Sequence, residues 1–325
     1  MRDVRTKDET ANIKIQKYYE ELPLIRATVS FNSFVTLSPF GDSTAIQTGD
    51  LLYRSFPYLE SNRIGETYLL NSKSSPYFLN DIFGINLYMS PIAFVCEAKN
   101  EERSFPPDRM IHISKPQSIK MSLDKAIIRR RSHRQFEKIS IPFEKISTIL
   151  HYCNGVSGEL LLKSLQSDFL NPLNVKLHTS SSAGGLYPLQ IYFIAINVKE
   201  LLFGVYIFSP TDNALVHISD KNLFSKEELL SSFDPAKEVI EIDNIGFIIV
   251  ITGRIWKLIR KYGNRGIKYM FIESGEIAQN IHLSAQSIGV GTVDMAGYYD
   301  NDLEKILGID GRSECIVHTV LGGMV

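Results

Sequence analysis

The 325-residue chain reads as an α+β protein, and three observations carry that reading. Strand and helix periods are mixed along it without the strict alternation of βαβ units. Its longest apolar run, Ile245 to Thr252 (IGFIIVIT), has the length and β-branching of a buried strand. That run feeds the stretch around which the chain is organised, Lys257 to Asp302, a long helix followed by a glycine-spaced turn. There Met270, Ser274, Ile277, Ala278, Ile281, Ala285 and Ile288 recur three or four apart, the spacing of one helical face. By periodicity alone this is a central core helix. Its ends are more suggestive: it begins on Lys268-Tyr269 and exits into Gly289-Val290-Gly291 and then Gly297. A proton-transfer pair at one end and bare backbone at the other would suit a helix lying beside a planar cofactor.

The totals narrow the classes. A net charge of −1 provides no whole-molecule field for nucleic acid or an anionic membrane. The N-terminal stretch is polar where a signal peptide has its apolar core, and no apolar run approaches the ~20 residues of a spanning helix. Cys96, Cys153 and Cys315 are scattered, odd in number and outside any CxxC pair, so a disulfide framework or zinc site is disfavoured and a reducing cytoplasm fits. The seven His residues form no metal constellation.

In order, Ile13 to Leu22 reads as a helix ended by Pro23, followed by short aromatic-rich pieces without recognisable chemistry. Residues 1–115 are therefore taken as an N-terminal extension, for peptide docking, dimer packing or plain structure, with a charged, proline-punctuated linker over 99–117. Residues 116–325 form the legible domain. SLDKAIIRRR predicts a helix capped by Ser122 with Leu123, Ala126 and Ile127 on one face. Phe143 to Tyr152 is a second helix, and Gly155 to Lys176 a mixed loop and helix, a lid candidate. Leu189 to Asn197 is a strand. LLFGVYIFSPTDNALVHIS is a hairpin, NLFSKEELLSSF a helix capped by Asn222 or Ser225, Asp302 to Leu307 a helix, and CIVHTVLGGMV a closing strand.

Two motifs carry chemistry. In Arg129-Arg130-Arg131-Ser132-His133-Arg134, alternate residues of an extended segment point to one side, so Arg130, Ser132 and Arg134 could converge on one anion. A solvated basic surface is the competing reading. In LHTSSSAGGLYP, the small residues Ser180 to Gly185 would admit a flat ligand or a phosphoribityl chain against the backbone, or form an ordinary Ser/Gly loop. No GxGxxG or Walker spacing occurs, which disfavours a dinucleotide-binding Rossmann domain.

Together, RRRSHRQF, SSSAGGLYP, KYMFIESGEIAQNIHLSAQSIGVGT and a terminal strand ending in Gly-Gly resemble the nitroreductase superfamily, and within it the SagB-type dehydrogenases, over roughly residues 118 to 325. The resemblance implies a central, mainly antiparallel sheet flanked by helices, in an intertwined homodimer that binds FMN. It places the FMN phosphate and ribityl end at Arg130, Arg131, Ser132 and Arg134. It places Ser182, Ala183, Gly184 and Gly185 near the flavin, often from the second subunit. The backbone of Met295, Ala296 and Gly297 would lie along the isoalloxazine, and Lys268-Tyr269 matches the Lys-Tyr pair proposed as catalytic in azoline oxidation.

The implied activity is oxidation of thiazolines or oxazolines to azoles on a ribosomally made precursor peptide, beside a cyclodehydratase, in the cytoplasm. Arg260, Lys261 and Arg265 would disfavour an ammonium on Lys268. Two departures stand out. Glu276 occupies a position where many relatives carry His, and the C-terminal GGMV lacks the basic residue that simple nitroreductases place near the phosphate, leaving either Arg312 or no substitute, in which case the phosphate rests on the Arg130 to Arg134 cluster alone. Two other functions stay open: an NAD(P)H-dependent nitroreductase or flavin reductase acting on small molecules, and a flavin-free scaffold of a modification complex.

Overall fold

The computed structural model describes residues 105–162, 173–218, 224–237 and 239–325, with positions 68, 69, 71–73 and 85 before them. The chain divides into two units, 1–73 and 74–325, and the architecture below is that of the second. The expected helix over 13–22 and the aromatic pieces after it lie outside the described residues.

Seven strands form one antiparallel sheet. In chain order they are β1 (Met110–His112), β4 (Leu189–Ala195), β5 (Gly204–Ser209), β6 (Ala214–His217), β7 (Phe247–Gly253), β8 (Val290–Met295) and β9 (Cys315–Met324). Their spatial order is β1-β6-β5-β4-β7-β9-β8. The expected hairpin is β5–β6, and β7 pairs with β4 on one side and β9 on the other. The stretch taken as a linker contributes β1, a three-residue edge strand next to the Pro106-Pro107 pair; so short an edge exposes few unpaired backbone groups. The described parts of the stretch 155–176 also differ from expectation. In place of mixed loop and helix, β2 (Val156–Leu162) and β3 (Leu173–His178) pair antiparallel as a separate two-stranded sheet. Leu160 and Leu161 are exposed on it, which is why this apolar run could be taken for part of a helix.

Helices cover both faces of the sheet. On one face, α2 (Phe143–Asn154) and α5 (Gly266–Ser287) bury Ile146, Ile149, Leu150, Met270, Ile277 and Ile281 against Ile191 and Phe193 of β4 and Ile249 and Ile251 of β7. On the other, α3 (Lys226–Ser231) and α6 (Asp300–Leu307) bury Leu229, Leu303 and Leu307 against Tyr192, Ile194, Ile248 and Val250. Alternate residues of β4 and β7 thus serve opposite cores, which explains why IGFIIVIT is apolar throughout. Ser225 caps α3 in a full capping box with Glu228. The short helices α1 (Leu123–Arg129) and α4 (Ile255–Tyr262) complete the set.

The face predicted for α5 is buried from Met270 to Ala285, with Glu273, His282 and Ser284 buried beside it. The face predicted for α1 is not: Ala126 is buried, whereas Leu123 and Ile127 are 67% and 53% exposed. Ile281 is fully buried between the helix and the sheet, so Ile281→Ala removes packed atoms from the core. It should cost about 2–5 kcal/mol in a urea denaturation midpoint analysis, against about 1 kcal/mol for the cap variant Ser225→Ala.

Candidate active site

The basic segment docks as an added edge on β8. Ser132 bridges Thr292 in parallel, the His133 N–H donates to the Thr292 carbonyl at 3.0 Å, and the Glu137 N–H donates to the Met324 carbonyl at 2.8 Å. Two glycines make this approach possible. A Cβ on Gly291 would stand 3.0 Å from His133, and one on Gly323 would stand 2.8 Å from the Phe136 ring. Gly323 of the terminal pair and Gly291 of β8 are therefore the seat of the arginine segment, while Gly322 admits the Phe247 ring. Arg131 turns back, its Nη1 donating to the carbonyls of Ile128 at 2.8 Å and Arg130 at 2.7 Å, and so satisfies the end of α1. Arg130 and Arg134 have no ion-pair partner among the described residues. A groove of about 700 Å³ runs along the segment, lined by Ser132, His133, Arg134, Gln135, Lys237 and Glu241. Four residues along β8 from Thr292, roughly 13 Å at about 3.3 Å per residue, Ala296 stands exposed past the strand end.

The small-residue turn is held by every one of its serine hydroxyls. Ser180 Oγ donates to Asn154 Oδ1 of α2 at 2.7 Å, Ser181 Oγ to Glu276, and Ser182 Oγ to Glu273 Oε2 at 2.8 Å. Ser182 Oγ also accepts the Tyr187 N–H at 2.9 Å, while Tyr187 itself sits at φ 44°, a left-handed conformation rare for a bulky residue. Its ring stacks on His178 at 3.9 Å. Burial pushes the His178 imidazole down to about 4, so the ring is neutral at ordinary pH. Gly184, at φ +64°, faces Lys261 Nζ and Tyr262 Oη so closely that a Cβ would overlap both.

A second Lys-Tyr pair thus touches the turn. Lys261 and Tyr262 end α4, seven residues before Lys268-Tyr269. Burial lowers the Lys261 amine and raises the Tyr262 phenol, the latter helped by Tyr269. The Tyr262 and Tyr269 rings meet edge to face at 5.0 Å, and the Tyr269 hydroxyl accepts from Arg265 Nε at 3.1 Å. The repeated Lys-Tyr, at spacing seven in KYGNRGIKY, was the signal available in the sequence.

Within one chain the predicted residues fall into two groups. Arg130, Ser132, Arg134, Met295, Ala296 and Gly297 lie along β8 and just past its end. Ser182 to Gly185 and Tyr269 lie at the junction of α4, α5 and the start of β4, with Lys268 in the first turn of α5; Lys261 and Tyr262, which the sequence reading did not name as catalytic, join them there. Three strand spacings, roughly 14 Å, separate β4 from β8. The β8 group has a further feature without a sequence signal: His282 Nε2 and His318 Nε2 both meet Asp294 Oδ1, at 2.8 and 2.7 Å, and His282 Nδ1 meets Thr292 Oγ1 at 2.8 Å. Burial of Asp294 works against its charge, but the hydrogen bonds and charges of the two histidines outweigh it and hold the carboxyl well below the usual range.

Glu273 is the other buried acid. Burial raises its carboxyl to about 7, against the hydrogen bonds from Ser182 and the Ala183 N–H and against Lys257; Glu276 pushes it the same way as burial. Because the folded value lies above the unfolded one, the folded state binds the extra proton between pH about 4.5 and about 7. Stability contributed by this group is present at low pH and falls as pH rises through that window. Glu273→Gln should remove this slope and be more stable than the parent at pH 8 by up to about 3 kcal/mol, measured by urea denaturation at pH 5 and pH 8.

Comparison with known proteins fits this architecture. The model of the Nitroreductase family matches residues 127–323. A protein of Methanocaldococcus jannaschii described as a nitroreductase is 30% identical over 199 residues, 61% of this chain and 90% of that one. The microcin B17-processing protein McbC of Escherichia coli is 27% identical over 177 residues, 52% of this chain and 64% of McbC, so the match spans less than two thirds of that relative. Among solved structures, a nitroreductase-like protein of Anabaena variabilis superposes with a TM-score of 0.51 at 18% identity, over 80% of this chain and 46% of that one, which shows the shared fold. The antiparallel sheet clad in helices, the arginine segment on its edge and a family match over more than half of the sequence agree: this chain belongs to the nitroreductase family.

Proposed function

We propose that the chain is an FMN-dependent dehydrogenase that oxidises azolines to azoles on a ribosomally made peptide, beside a cyclodehydratase and in the cytoplasm, as a homodimer. The observation that carries this reading over simple nitro reduction is the Lys261-Tyr262 pair packed against the Gly184 turn. Similarity to McbC, a microcin-processing protein, points the same way. Of the expected extension 1–115, the part before β1 is proposed as the docking segment for peptide or partner.

The residues fit FMN. Arg130 and Arg134, lacking ion-pair partners among the described residues, and the Ser132 hydroxyl suit its phosphate. The exposed backbone at Ala296 suits the flat ring, and Thr179 Oγ1, buried without a partner at the entrance to the turn, leaves a polar group to be satisfied there. Bound FMN supplies the two-electron acceptor. Forming an azole removes one hydrogen from Cα and one from Cβ of the ring. Lys261 Nζ, its proton loosened by burial, takes the hydrogen that leaves as a proton, while the Tyr262 phenol keeps its own and orients the ring. Tyr269 backs this pair through its ring contact with Tyr262, one residue from the Lys268 of the expected Lys-Tyr pair. Since the β8 group and the turn group lie apart in one chain, each site is proposed to take its arginine arm from one copy and its turn from the other. The exposed Leu123, Ile127 and Ile128 of α1 and Phe271 and Ile272 of α5 supply apolar surface for that pairing.

Three outcomes test the proposal. Lys261→Ala and Tyr262→Phe should keep the yellow flavin and lose about 10²–10⁴ of azole formation, read by mass spectrometry as the loss of two hydrogens; Lys268→Ala and Tyr269→Phe should lose less. The Arg130→Ala/Arg134→Ala variant should weaken FMN binding by about 10²-fold or more in a fluorescence titration. Mixed dimers of the arginine variant with Lys261→Ala should regain one working site of the two; dimers as dead as either parent would refute the shared site. A purified chain with no flavin absorbance, even after FMN is added, would leave the scaffold reading. Fast NAD(P)H-driven turnover of nitroaromatics without azole formation would leave the nitroreductase reading.

A further inference from the structure

The Ser180–Tyr187 turn is strained and exposed to ligand, yet four hydrogen bonds from two helices determine its shape. Asn154 of α2 holds Ser180; Glu276 and Glu273, one helical turn apart on α5, hold Ser181 and Ser182. Glu273 does more than its neighbours. Its carboxylate accepts both the Ser182 hydroxyl and the Ala183 N–H, and the hydroxyl it orients accepts the N–H of Tyr187, the residue in the left-handed conformation. One side chain therefore fixes the two ends of the Ala183–Leu186 loop that presents bare backbone to Lys261 and Tyr262.

The geometry points to Glu273 as a positioning residue that locks the turn in its site-forming shape when it carries charge and loosens it when protonated. This rests on the proposed function for its consequence but not for its cause. The groups facing Glu273 are Glu276 on its own helix, Lys257 on α4, and the Ser182 hydroxyl and Ala183 N–H on the turn; Lys261 reaches the turn from the Gly184 side. Hydrogen bonds to a carboxylate are roughly twice as strong as those to its neutral acid. Raising pH through the neutral range thus tightens the local grip, even though burying the charge costs the fold stability. Local order and global stability run in opposite directions with pH, a combination that a purely structural glutamate would not produce.

The test is amide-resolved hydrogen exchange of the full chain between pH 6 and pH 8, with and without FMN, corrected for intrinsic exchange. Protection at Ala183 and Tyr187 should rise roughly tenfold across this range in the parent. In Glu273→Gln, which keeps an acceptor oxygen but cannot titrate, it should stay flat. Ser182→Ala should lower protection at Tyr187 at every pH while keeping the rise at Ala183, and it serves if the glutamine variant does not fold. A parent with flat protection, a glutamine variant that rises as the parent does, or a serine variant with full protection at Tyr187 would overturn the assignment. Azole formation measured on the same samples separates the two claims: a titrating turn in a chain that makes no azoles keeps the positioning role and sinks the proposed reaction.

Discussion

Burial of α5 against the centre of the sheet is the constraint on which the rest depends. Its small and branched residues, Ser274, Ile277, Ala278, Ile281 and Ala285, let the helix backbone settle close to β4, β7 and β9. With that helix in place, its first turns present Tyr269 and Glu273 at the end of the sheet where β4 begins. Its later turns place His282 under Asp294 and Thr292 of β8. One rigid element thus positions both groups of site residues, about 20 Å apart along its axis at about 1.5 Å per residue.

That separation explains the logic of the candidate site. The chain holds an arginine arm at one edge of the sheet and a serine-glycine turn three strands away. The docking of the arm is itself a packing result. Phe136 lies against Gly323 and His133 against Gly291, so hydrophobic and backbone contacts place the guanidinium groups, leaving Arg130 and Arg134 free of ion pairs among the described residues. Apolar and backbone contacts, not ion pairs, supply the position of the segment.

Polar burial follows the same division. Asp294 is stabilised by two imidazoles and stays ionised, whereas Glu273 is desolvated and titrates near neutral pH. Asp294 directly precedes Met295–Gly297, and Glu273 hydrogen-bonds the turn at Ser182 and Ala183, both proposed to face the cofactor. The difference between them is the number and charge of their partners, which no property of Asp or Glu as residue types reveals.

The sequence by itself determined the elements whose residues answer to one partner. The period of α5, the apolar run of β7, the β5–β6 hairpin and the Ser225 cap are set by local stereochemistry and burial, and they stand as read. The α+β class and the family resemblance followed from the same local patterns. Tertiary structure decided what depends on residues far apart in the chain. Only the fold shows that 156–162 and 173–178 pair as strands, that Leu123 and Ile127 of α1 stay exposed, and that Arg131 is spent on the carbonyls at the end of α1. Only the fold shows that Lys261 and Tyr262 meet Gly184 and that Tyr269 packs behind Tyr262. Contacts across 91 residues of sequence, like that of Glu273 with Ser182, leave no periodic trace, and the physics of burial that tunes them exists only once the core has closed.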